Sequence, residues 1–149
     1  MRRNPEVRAV IDSQIMVPAI VGKEPHHGFY MLAVQKCWKF VFSESIVDEY
    51  QRVIQDYGYR GDVVIHALNW LHAMNKYRTS RADHRTLDEE LAPRKDKHIV
   101  AACQDVANVL VSGDRGILAR KDVIERRLGI QVMSLEAARS KLNTATDCH

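Results

Sequence analysis

Four acidic residues, Asp12, Glu49, Asp96 and Asp114, stand where this chain is best equipped for chemistry. Asp12 closes the apolar run Val7 to Ile11, and Asp114 follows Val109-Leu110-Val111 across a Ser112-Gly113 turn. Glu49 falls early in a helical pattern that follows Trp38 to Phe42, and Asp96 opens another ahead of Val109. Carboxylates gathered at one spot repel each other, which raises their pKa values unless cations sit between them. With no His or Cys in the set, hard oxygen ligands favour Mg²⁺ or Mn²⁺ over zinc. Such ions activate water and neutralise the charge that builds on a phosphodiester under in-line attack. The expected chemistry is metal-assisted phosphodiester hydrolysis.

For the four acids to meet, the fold must bring together distant stretches of sequence. Val7 to Ile11, Trp38 to Phe42, Val109 to Val111 and Ile130 to Met133 are short and apolar, so each reads as a buried strand. Between them lie helical patterns. One runs from about Phe29 to Cys37, and one from Ser45 through Ile46, Val47, Tyr50, Val53, Ile54 and Tyr57 to Gly58. Others run from Asp62 to about Met74, after Pro93 through Ile99, Val100 and Val106, and from Leu135 to Leu142, while Lys76 to Arg85 reads as a polar loop. Alternating strands and helices predict a three-layer α/β/α sandwich with a mainly parallel central sheet. Strands buried on both faces read as continuous apolar runs. In such a sheet the strand carboxyl ends and the following helix starts share the rim where ligands bind. All four acids fall on that rim.

These residues resemble the PIN-domain nuclease family, and in particular its bacterial members described as toxins of toxin–antitoxin pairs. Arg8-Ala9-Val10-Ile11-Asp12-Ser13 is similar to the opening strand and first acid, and Ser43 to Tyr50 to the second motif. That places the second acid at Glu49, with Glu44 and Asp48 as substitutes. Pro93 to Ala102 resembles the third motif, an Asp opening an Ile/Ala-rich helix, and Val109 to Leu118 the fourth, with Ser112 two positions before the last acid. The chain departs from the family at Gln14, where Asn is usual, at Lys97, where the third acid is often doubled, and at Gly116, where some members carry a further Asp. The resemblance spans about residues 7 to 142 of a single domain covering 1–149, with 143–149 as a tail. It implies a metal-dependent ribonuclease in which Asp12, Glu49, Asp96 and Asp114 are catalytic and hold Mg²⁺ or Mn²⁺, supported by Ser112 and Gln14. It also implies an RNA substrate, a cognate antitoxin and a homodimer. The departures leave one alternative: a weak or inactive PIN-like module that binds RNA or a partner protein.

Each acid taken singly has an ordinary explanation. Asp12 and Asp114 suit turns, Asp96 suits a helix cap, and Glu49 suits the start of a helix dipole. Only jointly do they require a common cause. Basic residues Lys76, Arg78, Arg81 and Arg85, then Arg94, Lys95 and Lys97, with Arg115 beside the last acid, are placed to grip phosphates, and Tyr77 to stack on a base. A charge run is also what a solvated face looks like. Of seven histidines, His26 and His27 read as part of a Pro/Gly loop. His66 and His72 are too far apart for the i, i+4 zinc pair, so exposed or capping roles are expected. Trp38 and Trp70 read as core anchors.

Composition narrows the alternatives. The chain has 149 residues, 46% hydrophobic and 28% charged, a normal globular balance for one domain. A net charge of +3 does not by itself call for a polyanion. Three cysteines, Cys37, Cys103 and Cys148, have no metal-ligand spacing, and Cys37 and Cys103 sit in apolar stretches that suggest buried free thiols in a reducing compartment. The start lacks the apolar segment of a signal peptide, and no run approaches the ~20 residues of a membrane span, so a cytoplasmic setting without membrane contact is expected. A haloacid-dehalogenase phosphatase wants Asp two residues after Asp12, where Gln14 stands, and a receiver domain wants paired acids there. No Gly-rich turn follows the first strand, which excludes a dinucleotide site.

Overall fold

The computed structural model describes residues 6–56, 58, 60–74, 78–80, 92 and 97–146. Five strands form one sheet: β1 (Arg8–Ile11), β2 (Lys39–Phe42), β3 (Arg78–Thr79), β4 (Val109–Val111) and β5 (Gln131–Met133). Their order is β3-β2-β1-β4-β5, and every pairing is parallel. Helices α1 (Ser13–Ile20), α2 (His26–Gln35), α3 (Glu44–Asp56), α4 (Gly61–Met74), α5 (Lys97–Ala101), α6 (Arg115–Ala119), α7 (Lys121–Leu128) and α8 (Leu135–Thr144) connect and flank the strands. The expected three-layer α/β/α sandwich is what forms.

Strand β1 is central. Ala9, Val10 and Ile11 are buried on both faces, and Ala9, Val10 and Ile11 pair with Val109, Leu110 and Val111 of β4. Asn108 extends this ladder before β4 begins. Its side-chain oxygen accepts the Arg8 N–H at 2.8 Å, and its amide donates to the Glu6 carbonyl at 2.8 Å. At the other end the Asp12 N–H donates to the Val111 carbonyl at 2.9 Å, and the Ser112 N–H to that of Met133 at 3.0 Å. Pairing therefore continues up to the residues of the rim, so their backbone is fixed by the sheet rather than by loops.

The four expected strands lie within a residue of their predicted limits. Three local expectations need correction. Arg78 and Thr79 were expected in a loop but pair with Val41 and Phe42, and a two-residue edge strand carries no periodic signal of its own. His26 and His27 open α2 instead of lying in a loop: Pro25 precedes the first turn, and the Glu24 carboxylate accepts the Gly28 N–H at 3.0 Å. Helix α1 had no predicted counterpart. Six of its eight residues are buried, so it lacks the polar face that makes a helix visible in sequence, and Pro18 within it argues locally against one.

The core behaves as the apolar pattern requires. Ile46, Val47, Tyr50 and Ile54 of α3 are buried on one face. Trp38 is buried and meets Phe29 edge-on at 6.1 Å, and Trp70 packs edge-on against Tyr30 at 5.0 Å. Cys103 is a buried free thiol, as expected. Cys37 is not. It is exposed and disulfide-bonded, and its φ of +61° turns it out of the apolar register just beyond α2, leaving the core positions to Ala33 and Trp38. Cys148 lies outside the described residues.

Candidate active site

Asp12 ends β1, precedes α1 and is only 6% exposed. The fully buried Ser112, one residue past β4, donates its hydroxyl proton to Asp12 Oδ2 at 2.6 Å. The same hydroxyl oxygen accepts the Asp114 N–H at 3.0 Å. One serine thus ties the first expected acid to the last. Ser13 adds a longer contact to Asp12 Oδ1, at 3.4 Å. Asp114 in turn caps α6, its Oδ1 accepting the N–H groups of Gly116 at 2.8 Å and Ile117 at 3.2 Å. Capping and site membership are therefore not rival roles for Asp114.

Ser43 caps α3, its Oγ accepting the Ile46 N–H at 3.1 Å. That start phases the helix so that Tyr50 is fully buried beneath the rim and Glu49 is half-buried beside it. Glu44 and Asp48 are both exposed, which separates them from Glu49 as the second acid. The Tyr50 hydroxyl donates to the Ile11 carbonyl and pins the end of β1 next to Asp12. Burial raises the Tyr50 phenol well above its ordinary value, and the charges of Asp12 and Glu49 add to this.

Electrostatics join three of the four acids. Burial pushes the Asp12 carboxyl above its ordinary value, and the Ser112 hydrogen bond works against that rise. The negative charge of Glu49 pushes it further, the Gln14 backbone amide opposes, and Asp114 adds a smaller push. Asp12 thus feels the charges of both Glu49 and Asp114. Asp96 lies outside the described residues, as do Lys76, Arg81 and Lys95.

Sequence reasoning missed one further member. His98 of α5 places Nε2 2.9 Å from Glu49 Oε2. The contact is not aligned as a hydrogen bond, and these two buried atoms have no hydrogen-bond partner. The available signal was positional: His98 is two residues beyond Asp96, in the first turn of a helix that starts at the rim.

An open cleft of about 520 Å³ adjoins Asp114 but not Asp12 or Glu49, and is lined by Gln14, Ile15, His26, Asp114, Arg115 and Leu135 among others. Gln14 is exposed and lines the cleft, and its backbone amide hydrogen-bonds Asp12. Of the basic residues expected to grip phosphates, Arg115 lines this cleft and Lys97 opens α5 beside His98. Arg78 contributes backbone to the edge strand β3.

The donor set suits a divalent cation. A buried carboxylate oxygen without a hydrogen-bond partner, Glu49 Oε2, stands near the raised carboxyl of Asp12, and a positive ion would relieve both. Among the described residues no three His, Cys, Asp or Glu side chains form a ready-made cage. Mg²⁺ commonly keeps several waters and takes only one or two protein carboxylates, so it needs none. No protein-family model matches the chain, and no curated protein matches it.

Proposed function

We propose that this chain is a PIN-like, Mg²⁺- or Mn²⁺-dependent endoribonuclease that hydrolyses RNA phosphodiester bonds at Asp12, Glu49, Asp96 and Asp114. The observation that carries the proposal is the Ser112 hydroxyl, which bonds the Asp12 carboxylate and the Asp114 backbone at a rim where Glu49 also adds its charge to buried Asp12. Structural carboxylates are seldom buried in mutual repulsion without a compensating charge.

Asp12, Glu49, Asp96 and Asp114 would hold the cation between them, one or two directly and the others through its waters. When bound, the ion supplies Lewis acidity for water and charge neutralisation for the phosphodiester. The protein's own part is positional. Ser112 fixes the Asp12 carboxylate and the backbone of Asp114 in one network, and Tyr50 holds the strand end beneath them. The Gln14 amide is placed at the cleft to orient water or a phosphate oxygen, and Arg115 to hold a flanking phosphate. Placing these groups on sheet-anchored backbone keeps the geometry within the narrow tolerance that catalysis needs.

RNA as substrate, a toxin role, a cognate antitoxin covering the rim and a homodimer all rest on the PIN resemblance. A cytoplasmic setting rests instead on the cysteine pattern and the lack of a long apolar run. Among the described residues no helix is long and apolar enough to cross a membrane, while the Cys37 disulfide pulls against a reducing compartment.

The test is cleavage of end-labelled RNA with Mn²⁺ and with EDTA, alongside Asp12→Asn and Asp114→Asn. Cleavage that needs the metal and disappears in both variants, with circular dichroism unchanged, supports the proposal. Cleavage that survives either substitution rejects the site. The departures at Gln14, Lys97 and Gly116 favour a second reading, a module that binds RNA or a partner without cutting. Retention of RNA with no metal-dependent cleavage would select it.

A further inference from the structure

We propose that His98 Nε2 joins Glu49 Oε2 as a direct ligand of the divalent cation, making the centre a mixed nitrogen–oxygen site tuned toward Mn²⁺ rather than Mg²⁺. This rests on the nuclease reading only in taking Glu49 as a metal ligand.

The two atoms lie 2.9 Å apart, within side chains 17% and 18% exposed, and both atoms are buried. The pair lies within ion-pair distance, but a hydrogen bond would also need the imidazole N–H to point at the carboxylate oxygen. It does not, and neither atom has a hydrogen-bond partner. Leaving two buried polar atoms without hydrogen bonds carries a desolvation cost, so such a pair persists where something else satisfies it.

A shared cation does so with this spacing. Two ligand atoms about 2.1 Å from a six-coordinate ion and at right angles to each other stand about 3.0 Å apart. Helices α3 and α5, which carry Glu49 and His98, pack against each other, so the pair is set by two elements and not by one flexible loop. Burial chiefly raises the Asp12 carboxyl and the Glu49 charge adds to it, so an ion held at Glu49 would also ease Asp12, with no third side chain among the described residues closing a cage. An imidazole nitrogen among carboxylate oxygens is a softer donor than Mg²⁺ prefers, and it raises affinity for first-row transition ions.

The test uses the full chain without a histidine tag, loaded with Mn²⁺ alone. Pulsed electron paramagnetic resonance reads nitrogen-14 coupling to the bound ion, and titration reads Mn²⁺ and Mg²⁺ affinity. The wild type is expected to show imidazole nitrogen coupling that disappears in both His98→Ala and His98→Gln. Mn²⁺ affinity should fall about 10- to 100-fold in each variant, with Mg²⁺ affinity changing much less. Bound Mn²⁺ without nitrogen coupling in the wild type, or coupling that persists in both variants, overturns the inference and leaves the nuclease reading standing. A wild-type chain that binds no Mn²⁺ overturns both.

Discussion

Ser112 and Asp12 are 100 residues apart in sequence and share a buried hydrogen bond of 2.6 Å. The serine's oxygen also accepts the Asp114 N–H, so the orientation of two acids depends on a single hydroxyl. Replacing it by Ala leaves the Asp12 carboxylate without its strongest opposing partner and orphans a backbone donor. Ser112→Ala should lower kcat by about 10- to 100-fold and cost roughly 1–3 kcal/mol of stability. Steady-state cleavage and urea unfolding would check the two effects separately. Unchanged kcat would remove Ser112 from the machinery.

The raised Asp12 carboxyl fixes the sign of a pH effect. Its folded-state pKa lies above that of an ordinary Asp carboxyl, so the native state holds the proton more tightly than the unfolded chain does. Stability from this group is therefore complete below its unfolded pKa and is lost as pH rises through the folded one. In EDTA at neutral pH, Asp12→Asn should melt at a higher temperature than the wild type, and the gap should close on acidification. Cleavage should vanish in the same variant. A lower melting temperature at neutral pH would contradict the burial of an unpaid charge.

Metal should reverse that penalty. An ion that binds only the native state adds about 2.7 kcal/mol at one hundred times its Kd. Mn²⁺ should accordingly raise the wild-type melting temperature in a concentration-dependent way, and Asp114→Asn should blunt the rise. Calorimetry over a Mn²⁺ series gives the answer, and a flat response would remove the cation.

Tyr50 tests the scaffold rather than the chemistry. Its hydroxyl donates to the Ile11 carbonyl at the end of β1, in a fully buried position. Tyr50→Phe leaves that carbonyl unsatisfied and should cost about 1–3 kcal/mol in urea unfolding. Because the strand end carries Asp12, kcat should fall as well.

Arg115 lines the cleft beside Asp114. If it holds a phosphate, Arg115→Ala weakens RNA binding evenly across sequences and reduces the salt slope of log Kd by about one. Filter binding in EDTA over a salt series separates this from catalysis. An unaltered slope would return Arg115 to the solvated surface.

Sequence alone determined four of the five strands and proposed the list of acids. The runs at Val10, Phe40, Leu110 and Val132 are apolar because a parallel strand covered on both faces has no polar side to show, and that signal is local. Asp12, Glu49 and Asp114 could be placed on one rim because strand ends and helix starts share an edge in any such sheet. Tertiary structure alone decided the rest. Helix α1 is invisible locally because its surroundings bury it nearly all round, and Arg78–Thr79 becomes a strand only because β2 offers an edge. That Glu49 is partly buried while Glu44 and Asp48 are exposed depended on the phase that Ser43 imposes on α3. The contact between Glu49 and His98 depended on two helices packing together, a distance that no spacing along the chain encodes.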